Sequence, residues 1–236
     1  MNAVILALPG NEGLAEALAT QLAVELGRTE QRRFPDGESY LRLDTDVVDR
    51  HVVIAATLRD PDARFLPLAF LAATARELGA SRVGLVAPYL AYMRQDTRFR
   101  PGEAVASAQF GRLLSQWIDW LATVDPHLHR HQDLAEVYQV PAMAVRAAPA
   151  VARWIASEVA APVLVGPDGE SAQWVEAVAA CVPAPHVVLT KVRHGDRAVD
   201  VSLPDVERWR ERTPVLLDDI ISTAHTMIAT VGQLRV

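Results

Sequence analysis

The stretch HVVIAATLRDPDARFLPLAFLAATARELGASRVGLVAPYL, residues 51–90, decides the fold. HVVIAAT is apolar almost throughout, so as a strand it has both faces buried rather than one. A long run of good helix formers follows. Asp60 suits the N-cap of that helix and Pro61 its first turn. A second apolar run, RVGLVAPYL, then returns to the strand pattern. A doubly buried strand, a crossover helix and another doubly buried strand make a parallel β-α-β unit covered on both faces.

The same grammar recurs outward from this point. AVILAL leads into NEGLAEALATQLAVELG, read as a helix ending at its glycine. EAVASAQFGRLLSQWIDWL is the helical stretch after RVGLVAPYL. Further on, PVLVGPDG precedes SAQWVEAVAACV, and TPVLLDDI precedes STAHTMIATVGQL. VVIAATLRDPDARFLPLAFLAATARELGASRV and VLLDDIISTAHTMIATVGQLRV share the strand–loop–helix order, which suggests two α/β halves meeting near QVPAMAVRAAP at 139–149. The halves are read as 1–142 and 143–236. The second is read as incomplete, because a doubly wound half usually continues with another strand after its last helix.

The 236 residues, half of them apolar, suffice for one large core or two modest ones. The net charge of −6 argues against a general nucleic-acid binder. No apolar run approaches the ~20 residues that span a bilayer, and the N-terminus lacks a basic signal-peptide region. One cysteine, Cys181, excludes an intrachain disulfide and fits a reducing cytoplasm; its apolar surroundings read as packing rather than chemistry.

In open α/β sheets, ligands sit beyond the carboxyl ends of the strands, and the chemically unusual residues cluster there. LLDDIISTAHTM (216–227) delivers Asp218 and Asp219 to such an end and opens a helix with a hydroxyl-rich turn. Carboxylates accept hydrogen bonds from sugar hydroxyls or hold hydrated Mg²⁺, and a helix N-terminus suits phosphate. Together they fit a sugar phosphate; a plain strand end with an N-cap is the alternative. YMRQDTRFRPGE (92–103) gathers Arg94, Arg98 and Arg100 around Gln95 and Asp96, either for polyphosphate or as a solvated loop. VDPHLHRHQD alternates His127, His129 and His131, which admits a three-histidine zinc site or exposed side chains. Asp168 in VGPDGE is a metal-facing carboxylate or a simple turn residue. TKVRHGDR offers Lys191 and Arg193. Neither GxxxxGK[ST] nor GxGxxG occurs, so no P-loop or dinucleotide fingerprint holds a nucleotide.

RRFPDGESYLRL, PYLAYMRQDTRFRPGEAVAS, VDPH, VGPDG, KVR and LLDDIISTAHT, in this order, resemble the ribose-phosphate pyrophosphokinases, the phosphoribosyl-pyrophosphate (PRPP) synthetases. The resemblance runs over nearly all of the chain. It implies an α/β fold of two similar phosphoribosyltransferase-like domains, each a mostly parallel sheet flanked by helices. It implies a cytoplasmic Mg²⁺-dependent enzyme that moves the diphosphoryl group of ATP to the C1 hydroxyl of ribose 5-phosphate. By the same resemblance, Phe34, Asp36 and Glu38 lie at ATP, reached from a neighbouring subunit of a homo-oligomer, a dimer or a hexamer. Arg94, Gln95 and Asp96 match ATP-binding positions, and His127 and Asp168 match metal-facing ones. Lys191 and Arg193 match the catalytic loop. Asp218, Asp219, Ser222, Thr223, Ala224, His225 and Thr226 match the ribose-5-phosphate loop. Three residues depart from the family pattern: Ser222 replaces an acid, His225 replaces a glycine, and Glu170 adds a charge near the expected phosphate. These departures leave two alternatives open, a catalytically weakened regulatory paralogue and a diphosphokinase acting on another sugar phosphate.

Overall fold

The computed structural model describes residues 2–194, 198–202, 206–221 and 224–234, with backbone alone at 190–194, 198–202, 206–207, 225–226 and 233. The chain divides into two compact units, Met1–Val145 and Arg146–Val236.

The first unit contains β1 (Ala3–Ala7), β2 (Glu25–Leu26), β3 (Thr29–Arg33), β4 (Ser39–Leu43), β5 (His51–Ala55), β6 (Arg82–Ala87), β7 (Trp120–Val124) and β8 (Ala142–Val145). Its helices are α1 (Glu12–Leu22), α2 (Pro61–Glu77) and α3 (Ala106–Ser115). Six strands form one wholly parallel sheet in the order β2-β1-β5-β6-β7-β8. β3 and β4 stand apart as an antiparallel hairpin. Alternate strand residues face opposite layers. Val4, Leu6, Val52 and Ile54 pack with Leu68 and Leu71 of α2 and Leu114 of α3, while Ile5 and Val53 meet Ala15 and Ala19 of α1. This double coverage is why the strands are apolar throughout.

The second unit contains α4 (Ala148–Glu158), β9 (Pro162–Gly166), α5 (Ala172–Ala179), β10 (His186–Val188), β11 (Thr190–His194), β12 (Ala198–Ser202), β13 (Thr213–Leu216) and α6 (His225–Leu234). Its three-stranded parallel sheet runs β10-β9-β13, and β11 pairs antiparallel with β12. Leu164 packs with Ile155 of α4 and Val175 of α5, whereas Val163 and Val165 meet Trp209, Leu216 and Leu234. Each unit is thus a mostly parallel sheet flanked by helices, as the sequence pattern implies.

Four local expectations need correction. The first helix ends at Leu22, not at Gly27: Ala23 turns left-handed at φ 51°, and Glu25–Leu26 become an edge strand against Val4 and Ile5. Gly27 instead donates its N–H to the Ile5 carbonyl at 2.8 Å, where a Cβ would strike the Val4 and Leu6 side chains. Asp60 does not cap α2; it is left-handed (φ 54°) and its carboxylate lies 3.5 Å from Arg59. IDWL belongs to no helix, because Trp120 opens β7 and packs its indole over Gly84. Cys181 is exposed rather than packed.

Candidate active site

In the first unit the sequence-marked groups gather beyond the carboxyl ends of β6 and β7, which are neighbours in the sheet. The loop after β6 passes through Tyr92, whose φ of 64° is costly for a bulky residue. The Tyr92 phenol donates to Asp62 in the first turn of α2, and its ring lies 5.0 Å from that of Phe110 in α3. That hydrogen bond raises the phenol's pKa. So braced, the loop leaves Arg94 and Gln95 exposed while Asp96 turns inward. The Asp96 side chain is only 1% exposed, and its Oδ1 accepts from Arg130 at 2.8 Å. Farther along, the Glu103 carboxylate accepts the backbone N–H groups of Phe99 (2.9 Å) and Arg100 (3.0 Å), closing the loop on itself.

After β7, Asp125 takes φ 36° and leads to His127. The His127 and His129 rings lie 6.0 Å apart, but His131 is drawn to Glu136 at 3.1 Å. The three histidines therefore do not converge. Among the described residues, no three His, Cys, Asp or Glu side chains form a metal cage.

The β3–β4 hairpin carries Phe34, Asp36 and Glu38 on its turn. The Phe34 carbonyl accepts the Gly37 N–H at 2.9 Å, and the positive φ of Gly37 (93°) permits that turn without strain. The Asp36 carboxylate accepts the Glu38 N–H at 3.1 Å. The Arg32 guanidinium lies 4.7 Å from the Phe34 ring centre and 4.2 Å from that of Tyr40, a cation–π pair that stiffens the tip. Gln31 ties the root to the Ala7 carbonyl at 3.1 Å. A cavity of about 370 Å³ remains between hairpin and α2, walled by Arg32, Arg33, Tyr40 and Arg64. The hairpin is thus fixed at its root, and its tip stands clear with Phe34 exposed.

In the second unit, Asp168 follows β9 and Asp218 follows β13, two adjacent parallel strands. Asp168 caps a short 3-10 turn: its carboxylate accepts the Glu170 N–H at 3.2 Å, and Ser171 Oγ donates back to its carbonyl at 2.5 Å. The Glu170 side chain points to solvent. Asp218 accepts the Asp219 N–H at 3.0 Å. Burial, with repulsion from Asp219 and Asp168, raises the Asp218 carboxyl to about 6. Three carboxylates therefore crowd one end of this sheet. Ala224 is left-handed (φ 60°) just before α6, and it has no side-chain oxygen to cap that helix. His225 and Thr226 form its first turn. Ser222 and Thr223 lie outside the described residues. Lys191 and Arg193 lie on β11, paired in register with Val201 and Val199.

Residues 3–117 match the family described as the N-terminal domain of ribose phosphate pyrophosphokinase, and residues 135–235 match the phosphoribosyl transferase domain. A ribose-phosphate pyrophosphokinase of Methanopyrus kandleri is 33% identical over 98% of this chain and 79% of its own length. The chain belongs to the ribose-phosphate pyrophosphokinase family. Its relative from Methanobrevibacter smithii is 30% identical over 95% of this chain and 78% of its own length. The fold agrees: a phosphoribosylpyrophosphate synthetase from Mycobacterium smegmatis superposes with a TM-score of 0.82 at 24% identity, covering 100% of this chain and 77% of that one. Sequence reasoning marked the strand-end groups but not the supporting contacts made by Arg130, Glu103, Arg32 and Tyr92. Each of these four acts by holding a motif residue or its loop, and no short motif encodes that.

Proposed function

We propose that this ribose-phosphate pyrophosphokinase family member transfers the β,γ-diphosphoryl group of Mg-ATP to the C1 hydroxyl of ribose 5-phosphate, releasing AMP and PRPP. The observation that carries this reading is the crowding of Asp168, Asp218 and Asp219 at adjacent strand ends beside the start of α6. A sugar whose hydroxyls meet carboxylates and whose phosphate meets a helix N-terminus satisfies both. In the other unit, Arg94 and Gln95 are exposed for the nucleotide, with Arg94 on its phosphates. Phe34, with Asp36 and Glu38, serves the adenine of a neighbouring copy, because the hairpin tip stands away from its own sheet. That role requires a homo-oligomer.

The donor set fits a divalent cation. Crowded carboxylates gain from a cation between them, and Mg²⁺ characteristically uses one or two carboxylates plus substrate phosphates. By the family resemblance, Asp168 and His127 are each assigned as metal-facing residues, Asp168 in the second unit and His127 in the first. When bound, Mg²⁺ screens the phosphate charge. The remaining work belongs to the chain. Asp218 and Asp219 orient the ribose so that its C1 oxygen attacks the β-phosphorus. The bond from that phosphorus to the α–β bridging oxygen breaks, AMP leaves with the bridging oxygen, and the hydroxyl proton passes to solvent water. Lys191 and Arg193 offset the charge that develops on the transferred group. Positioning and electrostatics carry the rate. Both substrates are cytoplasmic metabolites, so the enzyme is assigned to the cytoplasm.

The test is direct. The protein is incubated with Mg-ATP and ribose 5-phosphate, and AMP and PRPP are measured. Equimolar AMP and PRPP are expected. Absence of turnover refutes the reading in favour of a regulatory paralogue, and AMP release only with another sugar phosphate reassigns the substrate.

A further inference from the structure

Asp96 is the third residue of the Arg-Gln-Asp motif, yet its side chain does not reach outward with the other two. It is 1% exposed, its Oδ1 accepts from Arg130 Nη1 at 2.8 Å, and its Oδ2 is buried with no hydrogen-bond partner. A carboxylate in such a place is stable only while its cation stays. Arg130 comes from the other strand-end loop, three residues after His127, and is 44% exposed. Its guanidinium also lies 5.4 Å from the Phe99 ring centre, beyond Asp96 on the first loop. A third anchor lies on α3. The Ser107 N–H donates to the Gln95 carbonyl at 3.2 Å, and the buried Ser107 hydroxyl lacks a partner, as Asp96 Oδ2 does.

We infer that Arg130 is a positioning residue for nucleotide binding: by pinning Asp96 and Phe99, it fixes Arg94 and Gln95 relative to the His127 loop. This rests on the functional reading above, in which Arg94 and Gln95 meet ATP. The planar fork matters because one guanidinium bonds a carboxylate while lying against a ring; an ammonium keeps the charge and loses the stack. Neutral replacement strands a buried charge and frees the loop at both contacts.

The experiment uses the full-length chain and calorimetric titration with Mg-ATP, with steady-state kinetics for both substrates and thermal melting as a fold check. Arg130→Met is expected to weaken Mg-ATP binding by about tenfold or more, since misplacement of about an ångström is that costly. KM for ribose 5-phosphate should stay within about twofold. Arg130→Lys should recover part of the loss. The double variant Arg130→Met/Asp96→Asn removes the stranded charge, so it should melt like wild type while still binding Mg-ATP weakly. Wild-type Mg-ATP affinity in Arg130→Met, or full recovery of affinity in the double variant, overturns the inference. An equal loss for both substrates in the well-folded double variant overturns it as well. If the wild-type chain itself binds no Mg-ATP, or Arg94→Ala binds it normally, the functional reading has failed instead.

Discussion

Replacing Asp218 by asparagine should stabilise the fold at neutral pH while removing activity. Burial first, then the Asp219 and Asp168 charges, raises its carboxyl from the ordinary aspartate value of 3.8 to about 6. A difference of about two pK values corresponds to at most about 3 kcal/mol. Asp218 is partly solvated, so screening reduces this, and about 1 kcal/mol is the working figure. The sign follows from linkage. Between about pH 4 and pH 6 the folded state holds a proton that the unfolded state has released, so stability falls as pH rises through that window. Above it the whole destabilisation is present; below about pH 4 it vanishes. The introduced carboxamide carries no charge, and its oxygen still accepts the Asp219 N–H. Melting curves of both proteins, without divalent cations, should show Asp218→Asn higher by roughly 2–4 °C at pH 8, with the gap closing toward about pH 4.5. Millimolar Mg²⁺ should narrow the gap at pH 8, because a bound cation offsets the same repulsion. A gap independent of pH, or a wild-type protein that melts higher at pH 8, refutes the reasoning.

Lys191→Ala should lower kcat by about a hundredfold or more while Mg-ATP affinity measured by titration stays within about threefold, since a charge that meets only the transition state does not bind the ground state. Phe34→Ala should raise KM for ATP about tenfold with little change in melting, because its ring is exposed and Arg32 keeps its contact with Tyr40. Ala224→Gly should raise thermal stability by about 1 kcal/mol, seen in denaturant midpoints, because its φ of 60° is disfavoured once a Cβ is present.

The fold was legible where burial on both faces forced apolar runs. HVVIA and RVGLVA could only be internal strands, and they occupy the centre of the six-stranded sheet. Legibility failed where tertiary contacts overrode local propensity. TQLAVELG reads as one helix by composition, yet Glu25–Leu26 gain more by pairing with Val4 and Ile5 than by extending α1. Asp60 carries the capping residue type but not the capping conformation. Trp120 looked helical because a large apolar residue suits either element, and the space above Gly84 decided for a strand. The candidate site was legible at strand ends, where charge interrupts an apolar run. It was illegible where a contact spans distant segments: Arg130 and Asp96 are 34 residues apart, and neither sequence stretch marks the other as its partner.

The distribution of charge in the second unit is an argument about selection as well as geometry. A sheet optimised for stability alone would not end two neighbouring strands in Asp168, Asp218 and Asp219, since the Asp168 and Asp219 charges raise the free energy of ionised Asp218. Such local destabilisation persists where function requires it, and stabilising replacements there are the ones that remove activity. The first unit follows a different rule. Its buried carboxylate, Asp96, is matched by a cation, and one of its left-handed residues, Tyr92, is braced by Asp62 and Phe110. Like charges crowded at one strand end and an ion pair at another separate groups that await a ligand from groups that hold a loop. On the proposed function Asp218 belongs to the first class, and Asp96 and Arg130 to the second.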